Sequence, residues 1–323
     1  MSGLLDKIKE KGLAQTMRIA PRRAYLETRL FRRRLQRVQA LKALNYRVTF
    51  PNEGGKVISV PPISTADITR GDGVLIDQVY DFSRRPFKET LLRRTIYDLF
   101  GQGYLDPTKS IIDIGCWLSD NALVWASLLK DGGTVHAIDP SAKNLAFGQR
   151  LAGLNGVTNI NWVEAVCAEK SGMVLDFEGT LDHTAFNETE AQSATSLISR
   201  TLDDVVMDSD AQSISLIHVD VEGFEAKVLQ GAKDIIARDK PVILFEQHIS
   251  ADDATSLVTW LKGHGYAVYM INEVLPGCEH DCRNLIAFDA SRQMPKELAV
   301  DLMTGRETGI WFATLGGALV PIE

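Results

Sequence analysis

The sequence has few cysteines and few aromatic residues, and it has no long uninterrupted hydrophobic run. Its four cysteines, Cys116, Cys167, Cys278 and Cys282, show no spacing typical of a disulfide framework, so we expect reduced thiols. The longest apolar stretch, residues 309–322, is shorter than the about 20 residues that a membrane-spanning helix needs. Charged residues occupy the start of the chain, where a secretory signal would be apolar. These absences predict a soluble cytoplasmic protein.

The chain also lacks a zinc-binding pattern with two ligand pairs. The run Cys278-Glu-His280-Asp-Cys282 offers thiolate and imidazole donors, which zinc prefers, but a second pair of ligands is missing. The spacing therefore favours an ordinary loop over a zinc site.

Charge is distributed unevenly along the 323 residues. Residues 1–47 contain thirteen lysines or arginines and three acids, a net charge of +10, which leaves −17 for the remainder. Apolar residues in residues 22–47 recur at helical spacing among the arginines, which predicts a basic amphipathic helix. We expect this arm to pack on the acidic body or on a second subunit of a homodimer. Peripheral contact with an anionic membrane, at its inner face, ranks second, and nucleic acid ranks last.

Three regions follow from the pattern of apolar runs and breakers. Residues 1–85 form an N-terminal cap, with a hairpin at 48–60 and a strand at 71–81. Residues 86–290 form the main domain, and residues 291–323 form a C-terminal extension. The polar, aperiodic segment 182–196 predicts a loop, which we interpret as a substrate lid.

The segment Ile214–Glu225, with the sequence ISLIHVDVEGFE, is the most informative part of the chain. A continuous apolar run that ends in acids and a glycine is typical of a central parallel strand whose carboxyl end opens into a site. Asp220 lies at that end. Glu222 follows as a candidate substrate contact, and Glu225 is interpreted as an ordinary first-turn residue of the next helix.

A second apolar strand, Ser110–Cys116, ends at Gly115, and a third, Thr134–Pro140, ends at Asp139. Asp139 lies 24 positions beyond Gly115, near the spacing at which an acid binds a cofactor ribose. The turn after Gly115 lacks the further glycines of a G-x-G-x-x-G motif, so it predicts no cradle for a diphosphate. This combination favours S-adenosylmethionine as the cofactor.

The segments IIDIG, VHAIDPSAKNL, NINWVEAVCAEKSG, RTLDDVV, HVDVEGFEAKVLQGA and PVILFEQH follow one another in the order of the FkbM family of S-adenosylmethionine-dependent methyltransferases. The resemblance covers roughly residues 86–290. The chain departs from the family pattern at Trp117 and Ser119, where Ala-Asn and a second glycine are usual. It departs again at His218-Val219, where Lys-Ile is usual.

The resemblance implies a Rossmann-like class I methyltransferase fold, an α/β doubly wound sheet of seven strands with the last strand antiparallel. The strands are expected at 110–116, 134–139, 159–167, 214–220, 241–247, 266–272 and 284–289, and the helices at 141–153, capped by Ser141, 225–237 and 252–264. Asp220 and Glu246 end neighbouring strands in this topology, so we expect their carboxylates to converge.

The resemblance also implies a methyltransferase of EC class 2.1.1, and we expect O-methylation of a hydroxyl on a sugar, a glycan or another small molecule. The alternative is a methyltransferase-like scaffold or binding protein without turnover, which the altered first motif suggests.

The predicted site has three parts. The cofactor contacts are Asp113, Gly115, Cys116, Asp139, Pro140, Glu164, Ala165 and Asp220. The catalytic candidates are Asp220, Glu246 and His248, of which His248 is the general base and the two acids are its competitors, by accepting the proton or by holding a divalent metal. Glu222 and His183 are the substrate contacts. No metal ligand is assigned, and metal dependence stays open. His136 and His218 lie within strands and are expected to be core histidines.

Overall fold

The computed structural model describes residues 13–70, 73–180, 183–188, 196–208, 213–248, 255–273, 282–295 and 318–322. They fall into two compact units, one within Met1–Arg47 and Val60–Ser83, the other within Val48–Ser59 and Arg84–Glu323. Within the described ranges, none of the helices combines the length and the hydrophobicity of a membrane span.

The first unit contains three helices, α1 (Leu13–Ala43), α2 (Thr65–Arg70) and α3 (Gly73–Phe82). The predicted basic helix is confirmed, although it begins earlier than residue 22 and ends at Ala43. Helix α1 contacts both shorter helices. Arg37 of α1 forms an ion pair with Asp77 of α3, and its guanidinium lies 4.7 Å from the centre of the Tyr80 ring.

The strand predicted at 71–81 is wrong, because Gly73–Phe82 forms a helix. The buried residues are Gly73, Ile76, Val79 and Phe82. They recur every third position, so one helical face meets the interior while Val74 is exposed. Consecutive apolar residues at 74–76 obscured that period.

The second unit begins with strands β1 (Arg47–Phe50) and β2 (Lys56–Ser59), which pair as a two-stranded sheet and confirm the predicted hairpin. Gly54 in the connection has a φ of +69°, a conformation that glycine adopts without strain. Helix α4 (Thr90–Gly101) follows, and Leu91, Leu92, Ile96 and Leu99 on it are fully or almost fully buried.

The main sheet of this unit has eight strands. In chain order they are β3 (Ser110–Ile114), β4 (Val135–Asp139), β5 (Ile160–Glu164), β10 (Ile214–Val219), β11 (Val242–His248), β12 (Tyr266–Ile271), β13 (Cys282–Asp289) and β14 (Leu319–Pro321). In space the order is β14-β12-β13-β11-β10-β3-β4-β5. The five strands from β5 to β11 pair in parallel, whereas β13 is antiparallel to both of its neighbours.

This topology confirms the predicted class I methyltransferase fold, with one addition. The order of the strands reverses at β3: β4 and β5 follow on one side of it, and β10 and β11 on the other. The carboxyl ends of β3 and β10 therefore lie side by side at the switch point where open α/β sheets bind ligands. The added strand is β14, which pairs with β12 and lies in the segment that the sequence marked only as an extension.

Helices connect the strands. They are α5 (Asp120–Ala126), α6 (Ala142–Asn155), α7 (Leu202–Asp208), α8 (Glu225–Gln230), α9 (Lys233–Asp239) and α10 (Ser256–Gly263). Ser141 caps α6 as predicted, because its Oγ accepts the Asn144 N–H at 3.4 Å. The single helix predicted at 225–237 divides in two at Gly231, where a Cβ would overlap the backbone carbonyl of Ala168.

The two faces of the sheet differ in polarity. Ile112, Ile217 and Phe245 belong to one apolar cluster that also contains the buried residues of α8, α9 and α10. The alternate strand residues carry the polar side chains, including Asp113 and His218, which are directly paired in register. Functional groups therefore collect on one face.

A second sheet of four strands corrects two further predictions. Its strands, in spatial order, are β6 (Val166–Cys167), β9 (Ser196–Arg200), β7 (Val174–Thr180) and β8 (His183–Glu188). The predicted strand 159–167 is thus two strands in two sheets. The predicted lid loop is wrong at 183–188, because β8 pairs with β7 along its whole length, and residues 189–195 lie outside the described residues.

Candidate active site

The turn after β3 brings two strand ends into contact. Gly115 has a φ of +75°, and its N–H donates to the carbonyl of Ile138 at 2.9 Å. A Cβ at this position would overlap the backbone carbonyl oxygen of Asp220. Only glycine therefore allows the end of β3 to approach the end of β10 this closely. Cys116 follows, buried, with its own N–H directed at the same Ile138 carbonyl at 3.2 Å.

The next residues include two with a positive φ, a backbone conformation that glycine adopts without strain. Trp117 has a φ of +40° and Ser119 a φ of +60°. Strained backbone of this kind persists only where the surroundings enforce it. The Trp117 N–H donates to Asp139 at 3.0 Å, and the Arg85 guanidinium lies 5.6 Å from the centre of the Trp117 ring. Ser119 is buried against Gly148, which has no side chain to displace it.

Asp139, a predicted cofactor contact at the end of β4, has its carboxylate held by three hydrogen bonds. Its carboxylate accepts hydrogen bonds from the N–H groups of Trp117 (3.0 Å) and Ser141 (2.8 Å) and from the side chain of Asn144 (3.2 Å). Burial raises its pKa to about 6 although these hydrogen bonds act in the other direction. A carboxylate has about four acceptor positions, so one remains for a ligand hydroxyl.

The other predicted cofactor contacts lie along the same edge. Pro140 follows Asp139 and is half-buried, whereas Glu164 is exposed at the end of β5 and pairs in register with Asp139. Ala165 is the residue between β5 and β6. The structure thus brings these residues to one edge, and their contact with a cofactor stays a prediction.

Asp113 and His218 form a buried pair that the sequence did not suggest. Asp113 Oδ1 and His218 Nδ1 are 2.7 Å apart, and each residue is nearly inaccessible to solvent. Burial alone would lower the pKa of His218, but the hydrogen bond and charge of Asp113 outweigh it and the pKa rises. The Trp125 ring meets the imidazole edge to face, with 5.2 Å between ring centres.

His136 is also a core histidine, as predicted. Its Nδ1 lies 3.2 Å from the side-chain nitrogen of Asn161, and burial lowers its pKa to about 4. Together with His218 this confirms that the histidines inside strands are structural. Both assignments followed from their position inside apolar runs.

Three carboxylates meet where β10 and β11 end. One oxygen from each of Asp220, Glu222 and Glu246 lies within 4.8 Å of the other two. We call these three residues the acidic pole. Burial and mutual repulsion raise the pKa of both Asp220 and Glu246, and a hydrogen bond between their carboxyl groups contributes to the rise for Glu246. The convergence of Asp220 and Glu246 was predicted from adjacent strand ends.

Glu225 holds the turn that presents the acidic pole. Its Oε1 accepts the N–H groups of Val221 at 3.2 Å and Gly223 at 3.0 Å. Glu222 between them has a φ of +53°. The interpretation of Glu225 as a first-turn residue is confirmed, since it lies in the first turn of α8.

His248 borders the acidic pole at the end of β11. Its Nε2 lies 3.4 Å from Glu222 Oε2, and its Nδ1 lies 3.4 Å from Cys282 Sγ. Cys282 is disulfide-bonded, so the expectation of four reduced cysteines is wrong. Cys116 and Cys167 are free, and the partner of Cys282 lies outside the described residues. A disulfide sulfur offers no thiolate, which removes Cys282 as a metal ligand beside Glu246 and His248.

Sequence reasoning missed a buried ion cluster on the same face, which we call the arginine cluster. It comprises Glu53, Arg85, Glu89, Arg93 and Asp120. Arg93 is 1% exposed and reaches Glu53 at 2.9 Å and Asp120 at 3.0 Å. Spacing of four between Arg85, Glu89 and Arg93 was the available signal, whereas Glu53 and Asp120 are distant in sequence.

The side chain of His183 lies outside the described residues, so its substrate contact stays a prediction.

Residues 113–268 match the family model described as the methyltransferase FkbM domain. The matched range covers slightly less than half of the chain and runs from the end of β3 to the middle of β12. It contains every predicted catalytic and cofactor residue, and it confirms the resemblance found in the sequence motifs. No curated protein sequence matches the chain.

Solved methyltransferases are also similar. The methyltransferase FkbM from Methylobacillus flagellatus KT gives a TM-score of 0.43 at 16% identity, covering 66% of this chain and 54% of that chain. The O-methyltransferase from Bacillus cereus, in complex with SAH, gives 0.41 at 10% identity, covering 62% and 79%. A putative methyltransferase from Streptococcus mutans, in complex with SAH, gives 0.39 at 12% identity, covering 60% and 96%. The chain spans about half the length of the M. flagellatus protein. The fold assignment itself rests on the strand order.

Proposed function

We propose that this chain, whose residues 113–268 match the FkbM methyltransferase family, transfers a methyl group from S-adenosylmethionine to a hydroxyl of a sugar, a glycan or another small molecule. The observation that carries the proposal is the contact between Gly115 and the Asp220 carbonyl. This contact places the turn after β3, whose Trp117 N–H donates to Asp139, directly beside Asp220 of the acidic pole. A cofactor held on one side would meet an acceptor held on the other.

The cofactor would bind at the edge formed by the ends of β3, β4 and β5, which we call the cofactor edge. Asp139 would accept a ribose hydroxyl at its remaining acceptor position, while the Trp117 and Ser141 N–H groups fix its orientation. Two carboxylates, Asp139 and Glu164, pair in register there, and both suit a hydroxyl-rich ligand. These two carboxylates would repel a diphosphate that carries no bound cation.

His248 is the general base of the proposed reaction. The disulfide sulfur of Cys282 can only accept, so a hydrogen bond at 3.4 Å requires the proton on Nδ1 and leaves Nε2 able to take one. As the acceptor oxygen bonds to the methyl carbon, the carbon–sulfur bond breaks and its electron pair stays on sulfur. The hydroxyl proton passes to Nε2, and Glu222 at 3.4 Å stabilises the imidazolium that results.

Most of the acceleration in this mechanism comes from orientation, which contributes up to about 7–11 kcal/mol in favourable cases. A hydroxyl needs the base during transfer, because an oxonium product is strongly acidic, and this favours O-methylation over N-methylation. Three carboxylates at the pole also favour neutral or cationic acceptors over phosphorylated ones.

A thermal-shift titration tests the proposal. The full chain is heated with increasing S-adenosylmethionine or S-adenosylhomocysteine, and a ligand at 100 times its dissociation constant adds about 2.7 kcal/mol to the free energy of unfolding. We expect both ligands to raise the melting temperature and ATP to leave it unchanged. No shift with either would favour the alternative, a methyltransferase-like binding protein in which Trp117 and Ser119 have closed the site.

For the N-terminal arm we propose peripheral contact with an anionic membrane. Arg29, Arg32 and Arg33 on α1 are exposed, next to the exposed Leu30 and Phe31, which is the composition of a helix that lies on a charged lipid surface. Co-sedimentation with anionic and neutral vesicles, for the full chain and a chain starting at Val48, tests it. Salt-sensitive binding that needs residues 1–47 supports the proposal, and equal behaviour of both chains contradicts it.

We propose a cytoplasmic location and, through the same arm, a homodimer as the alternative to membrane contact. The disulfide at Cys282 is an observation against the cytoplasm, because disulfides persist mainly in oxidising compartments. Cell fractionation tests the location: recovery of the chain with cytoplasmic marker enzymes supports it, and recovery with extracytoplasmic markers contradicts it.

A further inference from the structure

We propose that Asp220, Glu222, Glu246 and Asn284 form a binding site for one divalent cation of the Mg²⁺ or Mn²⁺ type. The acidic pole supplies three carboxylate oxygens that already lie within 4.8 Å of one another. Oxygens from different residues at this separation can reach a common ion at the 2.0–2.6 Å distances of hard cations after small rotamer changes.

Two of the three carboxylates of the acidic pole, those of Asp220 and Glu246, are partly buried and have no basic partner in the part of the chain that the structure describes. Within the described residues, no lysine or arginine forms an ion pair with Asp220 or Glu246. Arg85, whose charge acts on Asp220, is itself paired with Glu89 and Asp120. Arg93 is paired with Glu53 and Asp120. The neighbouring carboxylates of Asp220 and Glu246 repel each other, and a bound cation would remove that repulsion.

An independent observation comes from Asn284 on β13. The residue is 3% exposed, yet its side-chain nitrogen has no hydrogen-bond partner among the described residues. Asn284 is directly opposite Glu246 in the antiparallel pairing of β11 and β13. Directly paired residues point to the same face of a sheet, with Cβ atoms about 4.5–5.5 Å apart. A buried amide that lacks a partner therefore faces the acidic pole.

The donor set decides the class of ion. Three carboxylates and one amide oxygen are hard ligands, which suit Mg²⁺, Mn²⁺ and Ca²⁺. Oxygen and nitrogen of an asparagine amide are exchanged by a rotation of its end group, which would direct Oδ1 to the ion and Nδ2 away. Thiolate is absent because Cys282 is in a disulfide, so the site does not have the ligands that zinc prefers.

The role of the ion rests on the proposed function, whereas its place does not. A cation at the acidic pole would bind the acceptor hydroxyl and lower its pKa, so that His248 removes a more acidic proton. Without methyl transfer the site would still bind the cation, and the two proposals can fail separately.

Calorimetric titration of the EDTA-treated full chain with Mn²⁺, in the absence of any cofactor, tests the site. We expect saturation at one Mn²⁺ per chain, and electron paramagnetic resonance of free Mn²⁺ counts the same stoichiometry. Glu246→Gln should weaken binding at least tenfold, whereas the matched control Asp289→Asn, a charge removed from the same strand as Asn284, should not change it. Asn284→Asp, which adds a fourth carboxylate, should tighten binding tenfold.

Absence of saturable Mn²⁺ binding would overturn the inference, and so would binding that both Glu246→Gln and Asn284→Asp leave unchanged. The gain expected of Asn284→Asp keeps the test decisive if Glu246→Gln fails to fold. Titration of the same EDTA-treated sample with S-adenosylhomocysteine reports on the proposed function alone, since cofactor binding without Mn²⁺ binding removes only the metal site.

Discussion

The arginine cluster and the acidic pole both bring acids together on one face of the same sheet, and they differ in burial and in counter-charges. Arg85 and Arg93 more than offset the burial of Asp120, so the pKa of that carboxyl lies below its usual value. At Asp220 burial and the repulsion of Glu89, Glu222 and Glu225 prevail, and the pKa is raised. We infer that the acids with arginine partners hold the fold together and that the acidic pole marks a ligand site.

The strongest test of this contrast at the acidic pole is His248→Ala. Because the imidazole is the proposed base, its loss should lower methyl transfer by about 10²–10⁴-fold. Transfer of labelled methyl from S-adenosylmethionine into a cell extract is the measurement, with His264→Ala at an exposed position as the control. An unchanged rate would move the base to Asp220 or Glu246.

Arg93→Met should disrupt the arginine cluster. It leaves Glu53 and Asp120 buried with less compensation, which should lower the free energy of unfolding by about 3–5 kcal/mol. Arg94→Met, one residue along the same helix, removes a pair with Asp98 and a contact with the Tyr97 ring at a side chain that is 37% exposed, and should cost about 0.5 kcal/mol. Equal losses in urea denaturation would show that the cluster contributes nothing specific.

Gly115→Ala should separate the two strand ends that join the cofactor edge to the acidic pole. The new Cβ would overlap the Asp220 carbonyl and would also require a strained positive φ, a strain that alone costs about 1–3 kcal/mol. Gly103→Ala shares the positive φ but has open space around it, so it measures the strain without the overlap. The melting temperature should fall further for Gly115→Ala, and similar losses would deny the close approach its role.

Glu246→Gln should stabilise the metal-free protein at alkaline pH. The raised pKa means that the folded state binds more protons than the unfolded state at pH values above the usual carboxyl pKa of about 4. The contribution of Glu246 to the free energy of unfolding therefore falls as the pH rises from about 4 towards its raised pKa. At pH 8 in EDTA the variant should be about 0.5–2 kcal/mol more stable than the wild type, and the gain should shrink towards pH 4. A gain that is independent of pH would contradict the electrostatic cause.

Sequence and structure agree where one apolar run specifies one element. The strand expected at 214–220 is observed at Ile214–Val219, and the acid after it lies at the sheet edge because parallel strands share their carboxyl edge. The helix at Gly73–Phe82 was missed because its apolar residues are also adjacent in sequence. Arg93 could not be assigned, since its partners Glu53 and Asp120 approach it only through tertiary packing.

The distinction between a cofactor edge and an acidic pole is the central claim, and calorimetric titration with S-adenosylhomocysteine tests it most directly. We predict that Asp139→Ala weakens binding by roughly tenfold or more, because a charged hydrogen-bond partner contributes about 1.5–3 kcal/mol. Glu246→Gln should leave the affinity within about twofold, and melting curves should verify that both variants are folded. Equal affinity of Asp139→Ala and the wild type, or a larger loss in Glu246→Gln, would contradict the account.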